Sequence, residues 1–510
     1  MTRRRLAVLL GPLLAWACGL PTLTPHLHPT DSVPTAGSPR ARLKVHMTSG
    51  ELYVLSRWTV RPDTLEGSGA RYSVGRDSTS SGAVQLALDS IALLETDTPG
   101  TAFPFGAQAL AVMTTVFGTI TAICVADPKS CFGSCPTFYI EGDTLEIPRA
   151  EGFSSSIARA LEARDVDALS GVPAKGSRFA VEMRNEALET HAVRQVRLLV
   201  APRPAGGRVF AAADGRFYPS GPVLEPGSCR GPEGDCRRAV RDMDGVERWS
   251  AADSTDLATR EIIELELPSA SGRLGVVIGA RNTLLTTFLF YQSLAYMGSR
   301  AGEYLALLER TGPAFAGQAL AMATLLGGID VEVQEPGGTW RSLGSFREAG
   351  PIAVDQVAFP FFAPSGQTSV RIRLRMAKGS WRLDHVGLAP LGEPVFPVTL
   401  EPTMVSRAAG VDTGAGAALR DPERYLVTYP GDRYRIEFAL PHADSAPELF
   451  LESRGYYYEW MRAEWLAEED PAMVALILGN PAESLRRLAR PYKDREASME
   501  RIFWHSRFGR

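Results

Sequence analysis

Between Val370 and Met376 the chain reads Val-Arg-Ile-Arg-Leu-Arg-Met, an unbroken alternation of apolar and basic residues. Side chains that repeat every second residue line one face of a strand, so this stretch demands a half-buried antiparallel strand with its arginines in water. Similar runs flank it: Ile329 to Val333, Thr339 to Leu343, Val354 to Phe362 and Trp381 to Val386. Together they predict a β-sandwich over residues 327–465. Earlier, short strand-like runs (Leu43–His46, Leu52–Leu55, Trp58–Val60, Ala70–Val74, Ala83–Leu88, Ile91–Leu94) are separated by turn residues at Ser49-Gly50, Glu66-Gly67-Ser68-Gly69 and Ser81-Gly82. Five or six strands in so short a span predict a small β-barrel over residues 41–98, since closure removes exposed edges. The expected fold class is therefore mainly β with α segments, in several domains.

Between the barrel and the sandwich, residues 127–325 alternate strand and helix signals and are expected to form a cysteine-containing, sandwich-like middle domain with helices. Apolar residues at Ile157, Leu161, Val166 and Leu169 predict a short amphipathic helix over 154–169. Asn282 is placed to cap a helix running to about Met297, and residues 466–510 predict a helical tail, with helices at about 471–490 and 494–504. The first barrel resembles the SH3-like or Sm-like barrels appended to exported bacterial proteins. The string Trp-Arg-Leu-Asp-His-Val at 381–386 is similar to the last strand of galactose-binding-like jelly rolls, a resemblance that implies a jelly-roll-like module with a tryptophan under the sheet.

The first eighteen residues join three arginines (Arg3, Arg4, Arg5), an apolar run from Leu6 to Leu14, and Ala15-Trp16-Ala17-Cys18. A charged start, an apolar core and small residues before a cleavage point make an export signal. Its end resembles the lipobox of bacterial lipoproteins, which implies lipidation of Cys18 and a membrane partner through that anchor. Residues 19–40, with five prolines and few apolar groups, read as a disordered tether. Gly106 to Ala126 carries no charge, and 103–126 reads as an apolar helix, either buried or spanning a bilayer. The net charge of −4 and the lack of any long basic block leave no footprint for nucleic acid.

An exported chain meets oxidising surroundings, where disulfides are the default for its cysteines. Cys229 and Cys236 flank a Gly/Pro loop suited to a bridge. Cys124, Cys131 and Cys135 crowd into twelve residues, so one of the three stays free or pairs elsewhere. The C-x3-C-P spacing of Cys131, Cys135 and Pro136 resembles the thiolate pair of Sco-type copper chaperones, which implies copper on Cys131 and Cys135 with His191 as third ligand. Phe132 departs from that pattern, and no thioredoxin-like alternation surrounds it. The full string Cys-Phe-Gly-Ser-Cys-Pro looks more like the C-F-G-S/T-C-P motif of exported bacterial lipoprotein domains of no assigned activity.

Glu186, Glu189 and His191 lie close in sequence and are read as a polar surface bend. Asp242, Asp244, Gly245 and Glu247 read as an Asp-Gly turn, short of a calcium loop. Trp340, Trp381, Tyr456, Tyr458 and Trp460 are candidates for stacking on sugar rings. The chain has no G-x-S-x-G elbow, H-E-x-x-H helix, Walker loop, G-x-G-x-x-G turn or C-x-x-C pair, so neither a cofactor nor a familiar catalytic route is expected. The expectation is a lipid-anchored cell-envelope protein, at the outer membrane or the periplasmic face, with a structural or binding role toward a glycan or an envelope protein. The alternatives are a periplasmic thiol-redox or copper-binding protein using the cysteine cassette, and an integral membrane subunit spanning at 106–126.

Overall fold

The computed structural model describes residues 20–28, 33–34, 42–47, 51–72, 78–102, 135–142, 147–172, 176–187, 189–268, 271–301, 304, 308, 317, 320–347, 349–364, 366–428, 432–441, 447–459 and 468–508. The export signal with Cys18, the apolar run 106–126, Cys124, Cys131 and Trp460 lie outside the described residues. Antiparallel sheets dominate and helices are few, so the chain is mainly β and multi-domain. Two compact units divide it, one comprising 1–127, 291–312 and 460–474, the other 128–290, 313–459 and 475–510.

The first unit holds a six-stranded antiparallel sheet in the order Leu20–His28, Ile91–Ala102, Arg42–Met47, Leu52–Val60, Thr64–Tyr72, Ser78–Ala87. Alternate residues Leu43, Val45 and Met47 join Leu55, Trp58, Leu65, Leu86 and Leu94 in one apolar core. Two expectations change here. Among the described residues the sheet runs as an open path from Leu20–His28 to Ser78–Ala87, with no pairing between those two strands to close it into a barrel. The first part of the supposed tether is a strand, in register from Leu20 opposite Ala102 to His28 opposite Leu94. An edge strand is where Pro21 and Pro25 can sit, because proline donates no ladder hydrogen bond. Gly67 and Gly69, read as a turn, lie inside a strand. A Cβ at Gly69 would stand 2.0 Å from the Val54 carbonyl oxygen, so the residue is glycine for close approach of two strands and not for a turn.

The second unit contains two sandwiches, the second inserted into the first. In the first sandwich one sheet runs Gly410–Val411, Met404–Arg407, Arg433–Ala439, Arg178–Arg184, Thr137–Ile140, Pro148–Glu151. The facing sheet runs Val398–Leu400, Glu189–Ala201, Glu448–Glu459, Ala163–Ala168, with Leu426–Thr428 also paired to Glu189–Ala201. Phe138, Val181, Val193, Val196, Leu198, Ile436, Phe438 and Leu451 fill the space between them. Helix Thr413–Arg420 caps this core; Asp412 accepts from the Ala415 amide at 2.8 Å and so satisfies one of the helix's free amides. The helix expected over 154–169 is instead the strand Ala163–Ala168, because its partner Glu448–Glu459 binds its backbone along six residue pairs.

The second sandwich faces the sheet Gly234–Asp235, Ser228–Gly231, Arg260–Pro268, Ser369–Ala377, Ile329–Gln334, Trp340–Phe346 against the three strands Asp355–Ala363, Gly272–Asn282 and Trp381–Pro390. Val370, Ile372, Leu374 and Met376 point into its core, as their alternation requires. A division of the chain near residue 326 is therefore not a division of the fold: Arg260–Pro268 and Gly272–Asn282 pair with strands from 355–390, while Arg433–Ala439 and Glu448–Glu459 return to the first sandwich.

A two-stranded hairpin, Arg208–Ala211 with Phe217–Ser220, is wedged between the sandwiches. Val209 and Phe217 pack on Leu199, Ala201 and Phe450 of the first, while Phe210 and Tyr218 pack on Val277, Ala358 and Ala389 of the second. Both faces of the hairpin are apolar, and both are used. The final helix, Pro481–Phe508, runs through Pro491 without the break expected there, and buries Leu485, Leu488, Ala489 and Tyr492.

Candidate functional site

The cysteine cassette leads directly into the end of the first sandwich. Cys135 is buried and is followed at once by the strand Thr137–Ile140. That strand pairs with Arg178–Arg184, after which the chain passes to the opposite sheet at Glu189. At this corner Glu186 accepts hydrogen bonds from the hydroxyls of Thr137 and Tyr139, each at 2.8 Å. The Arg184 guanidinium lies 3.8 Å over the Tyr139 ring. Asn185 donates to the carbonyls of Glu189, at 3.0 Å, and Thr428, at 3.2 Å.

Glu189 and His191 meet here, Oε2 to Nε2 at 3.0 Å, and both are fully buried. This corrects the expected surface bend: Glu189 and His191 lie on an interior strand of the facing sheet whose first residues are buried on both faces, so polar residues there must be satisfied internally. Of the set Cys131, Cys135 and His191, the first lies outside the described residues, and among the described residues no group of three or more His, Cys, Asp and Glu side chains is placed to hold a metal.

The aromatic candidates separate by burial. Trp381, 4% exposed, packs edge-on to Phe346 at 5.5 Å between the sheets of the second sandwich, in the manner the jelly-roll resemblance implies and not as a ligand platform. Tyr456 and Tyr458 are also buried, because Glu448–Glu459 is an interior strand of its sheet; Tyr456 packs on Tyr425 at 5.3 Å and on Tyr458 at 5.4 Å. Trp460 is outside the described residues. Trp340 is the member of this set that reaches a surface.

Trp340 opens the edge strand of the six-stranded sheet of the second sandwich and is half-buried. The strand pairing sets Gln334 opposite it, and the guanidinium of Arg373 lies over its ring at 4.4 Å from the centroid, with that of Arg371 farther off at 6.0 Å. Arg371 donates to Gln334 at 3.1 Å and to Glu264 at 2.9 Å, and Arg373 donates to Glu332 at 2.6 Å. The outer face thus carries one aromatic ring stacked under a guanidinium and surrounded by amide and carboxylate groups that hold the arginines in place. No family model matches the chain, and no curated protein matches it. The arginines were legible as an exposed face, but their approach to Trp340 was not, since it depends on the register between Ile329–Gln334 and Trp340–Phe346.

Sequence reasoning also missed a cluster on the outer face of the first sandwich. Glu162 receives Arg194 at 2.5 and 2.9 Å, the Tyr425 hydroxyl at 2.7 Å and Arg454 at 2.9 Å, and Arg194 lies 4.2 Å over the Tyr425 ring. Burial and the bond to Glu162 push the Tyr425 hydroxyl up to about 12. Its members are spread over 292 residues of sequence, and no local spacing announces them.

Proposed function

We propose that this chain is a lipid-anchored cell-envelope protein with a non-catalytic binding role, and that its ligand is a glycan taken on the open sheet face around Trp340. The observation that carries the reading is the half-buried Trp340 ring, with the Arg373 guanidinium over it and Arg371, Gln334, Glu264 and Glu332 around it. A sugar that takes the place of the Arg373 guanidinium over the ring presents its apolar C–H face to the indole and its hydroxyls to the planar polar groups around it. Each arginine here is matched by a carboxylate, which disfavours a polyanion as ligand. The anchor rests on the N-terminal signal and Cys18; the bridged Cys229 and Cys236 agree with an exported chain.

Two experiments test the halves separately. Screening the full chain against envelope glycans is expected to find a binder whose affinity falls more than tenfold, ~1.4 kcal/mol, in Trp340→Ala; a ligand bound equally well by that variant, or an envelope protein captured in its place, defeats the glycan reading. Cys18→Ala is expected to move the chain from the membrane fraction to the soluble one, and unchanged fractionation defeats the anchor.

A further inference from the structure

On the outer face of the three-stranded sheet of the second sandwich, Gln356, Gly279 and His385 stand in one cross-strand row, with Gly279 paired to both neighbours. The missing side chain at Gly279 leaves a notch. A Cβ built there would lie 3.3 Å from the Cβ of His385 and 3.6 Å from the sulfur of Met243, so the thioether fills the notch beside the histidine. Gln356 donates to that sulfur at 3.0 Å and is itself held by the Ser170 hydroxyl at 3.1 Å. Further along the strand Gly387 is also bare. A Cβ on it would meet Cγ1 of Val223 at 2.4 Å, then Cε1 of His385 at 3.0 Å and Nε2 at 3.1 Å, so the valine and the Cε1–Nε2 edge of the ring share the space over this second glycine.

His385 is 8% exposed, and its Nδ1 has no hydrogen-bond partner among the described residues. A buried polar atom in that condition costs free energy unless something else engages it. Met243, by contrast, is 38% exposed and links the spot to solvent. Burial holds the imidazole down to about 4, opposed by Asp242 and aided by Arg208, so the ring is neutral at physiological pH and, in the tautomer protonated at Nε2, carries its lone pair on Nδ1. Arg208 is neutralised by Glu448 at 2.9 Å.

We propose that Nδ1 of His385 and the sulfur of Met243 form a two-ligand site for a soft monovalent cation, Cu(I), for which Ag(I) is the redox-inert probe. A thioether is a poor ligand for hard ions, whereas Cu(I) accepts sulfur and imidazole nitrogen. The three rotatable bonds of methionine let its sulfur close on a metal held at Nδ1. The site uses neither Trp340 nor the cysteine cassette, so its fate is separate from that of the proposed glycan face.

The test is titration of the full chain, labelled at its methionine methyls and with its free thiols alkylated, with Ag(I). The Met243 methyl resonance, assigned by its loss in Met243→Leu, is expected to move and to saturate at one equivalent, with affinity at least tenfold weaker in His385→Gln. A Met243 resonance that stays in place under excess Ag(I), or that moves identically in His385→Gln, overturns the proposal. If His385→Gln does not fold, the ring nitrogens of His385 in the parent chain decide: a large shift of Nδ1 on adding Ag(I) supports the site, and no shift overturns it.

Discussion

The carboxylate of Glu500, near the end of the last helix, lies 2.6 Å from a guanidinium nitrogen of Arg382, and both side chains are buried. The other oxygen of Glu500 accepts the Leu284 amide at 2.7 Å. Arg382 also lies 3.5 Å from Glu247, which binds Arg281 at 2.6 and 2.7 Å. One turn earlier, Glu496 accepts the Ala252 amide at 2.7 Å. Two glutamates of a single helix thus satisfy backbone amides that the second sandwich leaves open. Removing one partner of a buried pair strands the other, at a cost of about 3–5 kcal/mol. Glu500→Ala is therefore expected to lower the urea midpoint by a corresponding amount and to make the last helix susceptible to limited proteolysis. A change below about 0.5 kcal/mol would mean that the network contributes no net stability.

Asp167 lies among acids where the two sandwiches meet. The Ala168 amide donates to Asp355 at 3.3 Å, and the Ile352 amide to Glu151 at 2.8 Å. Burial, then the neighbouring carboxylates of Asp165, Asp355 and Glu151, hold the Asp167 carboxyl well above its usual range. A raised carboxyl stays protonated in the folded chain after its unfolded counterpart has ionised, so its effect on stability worsens as pH rises from about 4 through the folded value. Asp167→Asn is expected to be more stable than the parent at pH 8, with the advantage shrinking toward pH 4. Denaturant midpoints across that range check it, and an advantage that grows on acidification would reverse the assignment.

Cys229 and Cys236 close a short loop beside the core of the second sandwich, and both are buried. Constraining a loop of this length in the unfolded chain stabilises the fold by roughly 2–3 kcal/mol. The double variant Cys229→Ala/Cys236→Ala is expected to lose about that much in chemical unfolding, and the parent to lose the same on reduction. If reduction costs far more than the double variant does, the excess is due to another bridge in the chain.

Much of the second sandwich was legible because period two is a local property: Val370 to Met376 determines which residues face the core without reference to any partner. The insertion of one sandwich into the other was not legible, because the pairing of Arg178–Arg184 with Arg433–Ala439 is a contact between distant segments and leaves no local mark. Trp381 and the three tyrosines Tyr456 to Tyr458 show the same limit from the other side. Aromatic residues suit a core and a sugar platform equally well, and only the position of their strands within the sheets chooses the core. Glu189 and His191 looked like a surface bend because charged residues usually are exposed. Here they are buried as a matched pair, which is the circumstance that permits it.

Glu162 supplies the contrary case to Asp167. Burial by itself would raise its carboxyl, but the hydrogen bonds from Arg194 and Tyr425 and the charges of Arg194 and Arg454 outweigh it, and the group lies below its ordinary value. A depressed carboxyl contributes stability that is present above its unfolded value of about 4.3 and is lost as pH falls through the folded one. Glu162→Gln removes that contribution while keeping the shape of the side chain. The variant is expected to be less stable than the parent at pH 7, and the gap is expected to close as both are taken toward pH 3. Urea midpoints measured for both chains at several pH values decide the matter, because a gap independent of pH would reflect lost packing and not the ionised carboxylate.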